Sequence, residues 1–148
     1  MLGQSIQGRP TIPFSEVPDG VYLAKRPSEV LPLFEHYGVL FTGKHGKHFG
    51  VDGAPVLVQQ TYPSITVDSA ENTGVWDLVS KVPPELEGSA VARAFSSFRE
   101  PGYDLTNNNC EQVARHITEG RKTSTQLVGV GVAIAAVLAI LIINSSDD

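Results

Sequence analysis

Apolar positions along this chain fall in short β-prone runs as far as Val79, take helical spacing between Leu86 and Ile117, and become unbroken from Leu127 onward. The first run, Val21-Tyr22-Leu23-Ala24, follows the turn signal Pro18-Asp19-Gly20 and predicts a short strand. A second strand is expected over residues 36–41. A turn over 42–47 and a return through His48, Phe49 and Val51 would complete a β-hairpin. Residues 56–62 and 74–79 are also β-prone, the latter holding the only tryptophan, Trp76, and Pro63 and Asn72-Thr73-Gly74 punctuate them.

Beyond Pro83-Pro84 the period changes. Leu86, Ala90, Val91, Ala94, Phe95 and Phe98 lie at helical spacing, and Pro101-Gly102 ends the pattern. A further helix is expected from Cys110, with Val113, Ala114 and Ile117 on the face of the thiol and Gly120 as its stop. Strands first and helices after them predict an α+β domain, a small antiparallel sheet packed against helices. No internal repeat is visible.

Residues 127–143 carry no charge. At about 1.5 Å per residue they form a helix of roughly 25 Å, near the lower limit for crossing a hydrocarbon core. A buried core helix is the alternative, but no polar face interrupts the run and a domain this small could not surround it. A single C-terminal transmembrane anchor is the expectation. Arg121 and Lys122 on its N-terminal side place the main domain in the cytoplasm. Gly131, Ala135 and Ala139 recur every four residues, a small-residue stripe through which two copies could form a homodimer, or simple apolar filler. The expected organisation is a flexible segment over 1–15, a main domain over 16–126, the anchor over 127–143 and a short polar tail over 144–148. No secretory signal is visible in the first residues, and Leu2 in place of glycine argues against N-myristoylation.

Composition narrows the function. The 148 residues suffice for one core. A net charge of −5, with Lys44, Lys47, Arg121 and Lys122 scattered, argues against a nucleic-acid partner. Cys110 is the only cysteine, so the chain has no internal disulfide, which fits a reducing compartment.

That cysteine sits in the run Asn107-Asn108-Asn109-Cys110-Glu111-Gln112, where a helix should begin. Free N–H groups at a helix N-terminus stabilise a thiolate, the reactive form of cysteine. A cysteine nucleophile also needs a base, and the base an orienting group. His36 and His48 stand 12 residues apart across the expected hairpin. They share a face if the connection holds an odd number of residues. His45 falls in the expected turn and should be exposed, and His116 should lie on the helix surface. An inert buried thiol remains open, as does a zinc site built from Cys110, His36 and His48.

His36-Tyr37-Gly38-Val39, His48 and Asn108-Asn109-Cys110-Glu111 together resemble the lecithin:retinol acyltransferase-like family, which includes the HRAS-like suppressor phospholipases and acyltransferases. Pro18-Asp19-Gly20, residues 120–126 and the apolar C-terminus are similar as well. The resemblance implies a circularly permuted papain-like (NlpC-type) thiol hydrolase fold with histidines before cysteine. In it Cys110 is the nucleophile, His36 the general base and His48 the third polar member. It implies attack on a glycerophospholipid ester, an acyl-cysteine intermediate and transfer to water or another acceptor, with phospholipid and membrane as partners and no metal or organic cofactor. The chain departs from the family at Gln112, where a histidine is usual, at Val113, where an aromatic is usual, and in a shorter stretch between His48 and Cys110. Two other readings stay open: a papain-like cysteine peptidase or amidase, and a tail-anchored interaction protein whose triad is idle.

Overall fold

The computed structural model describes residues 14–28, 34–51, 53–61, 63–100, 102 and 109–146. Five strands, β1 (Val21–Pro27), β2 (Glu35–Phe41), β3 (Val56–Gln60), β4 (Ile65–Ser69) and β5 (Asp77–Lys81), form one sheet in the order β4-β3-β2-β1-β5, every neighbouring pair antiparallel. Helices α1 (Glu87–Ser97) and α2 (Cys110–Glu119) follow, then α3 (Thr125–Ser146). The fold is α+β with an apolar C-terminal helix, as the change of period implies.

β1 and β2 are apolar on both faces because both faces are covered. Val21, Leu23, Tyr37, Val39, Phe41 and Val58 point toward the helices, where Ala90 and Ala94 of α1 and Val113, Ala114 and Ile117 of α2 meet them. Alternate residues Tyr22, Ala24, Leu40 and Leu57 point the other way, onto Trp76, Leu78, Ala70 and Val17. Phe14, in a 3₁₀ turn over Phe14–Glu16, packs against this second cluster. Residues 1–13 of the expected N-terminal segment lie outside the described residues.

The expected hairpin does not form. Residues Gly43–Phe49 make a 3₁₀ helix, and β2 pairs instead with β3, in the register Val39↔Val58, Leu40↔Leu57 and Phe41↔Val56. Glycine and core burial decide this. Gly43 and Gly50, at φ 60° and 79°, bracket the coil in the left-handed region that glycine adopts without penalty. Phe49 leaves a strand path to pack on the Phe41 and Phe95 rings at centroid distances of 4.7 and 5.3 Å. His45, expected in solvent, is buried, its Nε2 2.7 Å from Glu87 Oε2 at the start of α1. β4 was not anticipated. β5 starts three residues later than expected, after Gly74 at φ 97° and the buried Trp76.

Candidate functional site

The sequence opens α2 at Cys110 through a reciprocal cap. Asn109 Oδ1 accepts from the Gln112 N–H at 2.8 Å, and Gln112 Oε1 accepts from the Asn109 N–H at 3.0 Å. Gln112 thus closes a capping box that fixes where the helix, and with it the thiol, begins.

The thiol lies where the sheet splits. β2 stays paired with β1 along its whole length, down to Pro27↔Glu35, but β3 is registered with it only from Phe41 to Val39. Thr42 N–H bonds to Gly20 O and Ser28 N–H to Phe34 O, so even-numbered backbone groups of β2 face β1. The odd-numbered ones, Glu35 and Tyr37 included, therefore face the side that β3 has left. Cys110 Sγ stands there, 4.0 Å from the Glu35 carbonyl oxygen.

Burial pushes the Cys110 thiol above its ordinary range. Backbone hydrogen bonds from Tyr37 and from the helix start at Glu111 pull the other way without reversing the shift, and the Glu111 charge adds to the rise. The expectation of a thiol pKa lowered by the helix N-terminus is corrected in direction: desolvation outweighs the backbone donors, and the thiol is pushed up.

His36 is the residue between those two flanking peptides. Its Nε2 lies 2.7 Å from Gln59 Oε1 on β3, and its ring stands 5.6 Å from that of Trp76. Gln59 is itself oriented, since its Nε2 donates to Asp68 Oδ2 at 3.2 Å, and Thr66 Oγ1 donates to the same oxygen at 2.8 Å. A carboxylate only accepts, so the amide nitrogen of Gln59 faces Asp68 and its oxygen faces the imidazole. In a neutral imidazole this orientation puts the proton on Nε2, and Nδ1 is the acceptor nitrogen. A cleft of about 470 Å³, lined by Arg26, Gln59, Asp68, Asn72, Thr73 and Gly74, adjoins this side of the sheet.

His48 is not brought to this group. It is exposed on the 3₁₀ helix beyond the far end of β2, its ring 6.0 Å from that of His45. His36 and Phe41 are five residue steps, roughly 17 Å, apart along β2, and the coil that carries His48 begins beyond Phe41. Among the described residues no cluster of three or more His, Cys, Asp or Glu side chains is arranged to hold a metal. His116, on α2, is held below its ordinary pKa by burial and by the charges of Lys122 and Arg93.

Behind the thiol, Glu111 is wholly buried and accepts from Ser124 Oγ (2.8 Å), Thr125 N (3.0 Å), Thr125 Oγ1 (2.7 Å) and Arg115 Nε (2.9 Å). Burial alone would raise its pKa, but these hydrogen bonds, Thr125 and Ser124 foremost, hold the carboxyl down at about 2. The acceptor knot ties α2 to the beginning of α3.

Sequence reasoning missed Gln59 and Asp68. The available signal was a polar pair, Gln59-Gln60, ending an apolar strand; both are buried, and buried amides in strands need partners. No family model, curated protein or solved structure matches the chain.

Proposed function

We propose that the protein is a membrane-anchored thiol acyltransferase or phospholipase A of the permuted papain-like class, similar to the lecithin:retinol acyltransferase-like family. Cys110 is its nucleophile, His36 its general base and Gln59 the group that orients the imidazole. The observation that carries the reading is the His36–Gln59 hydrogen bond at 2.7 Å, on the strand whose flanking peptides face the thiol. A cysteine–histidine–amide set of this kind is the papain-like variant of the acyl-transfer triad.

The chemistry follows from the protonation states. Sγ attacks the ester carbonyl carbon while its proton passes to His36 Nδ1, and the carbonyl π pair moves onto oxygen. The Cys110 backbone N–H, at the start of α2, is a donor available to that oxyanion. The intermediate collapses, the alcohol leaves with the proton from the imidazolium, and the acyl group stays on sulfur as a thioester. Water or another hydroxyl or amine acceptor, deprotonated by His36, then takes the acyl group and restores the thiol. Burial, which pushes the Cys110 thiol up, favours general-base removal of its proton over attack by a preformed thiolate.

Lipid is the favoured substrate because α3 is unbroken apolar or glycine residues from Leu127 to Ile143. Its span Thr125–Ser145 has mean hydropathy 2.7, and its large apolar side chains from Val128 to Ile143 are exposed. An anchored enzyme meets bilayer lipid at high effective concentration. Intact-protein mass spectrometry after incubation with mixed phospholipid vesicles tests the proposal. The expected result is an acyl mass on Cys110 that hydroxylamine removes and that Cys110→Ser never acquires. Cleavage of a peptide library with no acyl adduct from lipid would transfer the site to the peptidase reading.

A further inference from the structure

We infer that Gln126, in the first turn of α3, is a positioning residue of the thiol site, one carboxamide bridging the residue after the nucleophile and the residue before the base. The reaction it serves rests on the acyl-cysteine reading above; the geometry does not.

Where β3 leaves β2, the Glu35 peptide loses the strand that would have paired it, and an unpaired buried peptide is costly. The Gln126 side chain takes the strand's place. Its Oε1 accepts from the Glu35 N–H at 2.6 Å and its Nε2 donates to the Glu35 carbonyl at 3.1 Å, the two bonds of a ladder rung made by a side-chain amide. The second Nε2 hydrogen goes to Glu111 Oε2 at 3.2 Å, which fixes the amide's orientation, since a flipped amide would set oxygen against carboxylate. The Glu35 carbonyl so held is the one 4.0 Å from Cys110 Sγ. Glu111 follows Cys110 and Glu35 precedes His36, so displacement of this amide moves the thiol and the imidazole relative to each other.

The test uses the full chain in detergent micelles. Gln126→Met keeps the length and apolar stem and removes every bond described. Ser124→Ala is the comparison: it removes one bond to Glu111 and a cap of α3 but touches nothing at Glu35. Three quantities are read: melting temperature, Cys110 acylation by a soluble activated ester, and the pH profile of Cys110 alkylation by iodoacetamide. Gln126→Met should lower kcat for acylation by about tenfold or more with KM little changed, since small misplacements of reacting groups are expensive. It should also move the alkylation profile by ~0.5 pH unit or more, whereas Ser124→Ala lowers melting alone. Gln126→Glu, isosteric but without the donor to the Glu35 oxygen, should reproduce the kcat loss at neutral pH and decides the matter should the Met variant not fold. A Gln126→Met protein that differs from wild type only in melting, as Ser124→Ala does, overturns the inference. If wild type itself forms no acyl adduct, the acyl reading fails, and the alkylation profiles alone decide the role of Gln126.

Discussion

At the scale of single residues, the site separates side chains that chemistry alone would treat alike. His36 and His48 are both histidines near one strand, but only His36 is held by an oriented amide. Replacing His36 by Ala should lower the acylation rate by roughly 10²–10⁴, the usual worth of a general base. Gln59→Leu, which frees the ring without removing it, should cost on the order of 10–100-fold. His48→Ala should leave the rate near wild type, and acyl-adduct kinetics on the three variants separate a triad closed by Gln59 from one closed by His48. The thiol makes a second prediction. With its pKa raised, the ionised form appears only above the ordinary thiol range, so iodoacetamide labelling should climb at higher pH than for a cysteine peptide. The sign extends to stability: above that range the unfolded chain releases the thiol proton first, and folding should weaken as pH rises. Cys110 and His36 could be nominated from the sequence because their types and positions mark them. Gln59 was not, because a glutamine acquires its role only from the strand pairing that brings Asp68 and His36 to its two ends.

At the scale of elements, legibility followed how locally each is determined. β1, β2, α1 and α2 have apolar patterns and stops within their own residues, from Pro18-Asp19-Gly20 before β1 to Gly120 after α2, where φ is 78°. The Gly43–Phe49 coil does not. Its backbone follows from Phe49 finding Phe41 and Phe95, and His45 finding Glu87, and the last two partners lie on α1, far away in sequence. β4, an edge strand with Val67 exposed, has too little buried surface to mark its sequence. The join between α2 and α3 was equally invisible, and it has a measurable consequence. Glu111 falls from 4.5 to about 2, worth about 3 kcal/mol at 1.36 kcal/mol per unit. A depressed carboxyl contributes its full stability above its unfolded pKa and loses it as pH falls toward 2. Thermal melting of the wild type should therefore drop between pH 4.5 and pH 2, while Glu111→Gln should melt lower at pH 7 and show a flatter acid limb.

At the scale of the whole molecule, α3 is the element that solvent cannot easily accept. Its large apolar side chains, from Val128 to Ile143, are exposed along the helix. Sodium carbonate extraction should leave the full chain in the membrane pellet, and a chain ending at Leu127, which retains Ser124, Thr125 and Gln126, should pass to the supernatant with its fold intact. The connection between α2 and α3 spans only residues 120–124, and its last member is already bonded to Glu111. A domain on a long flexible leash can swing through a hemisphere of solution and touch a second membrane or a passing vesicle. Here the leash has almost no slack. On the proposed reading, an α3 set in a bilayer would hold the thiol site at one height above it, and the acyl donors offered to Cys110 would be those of that one membrane.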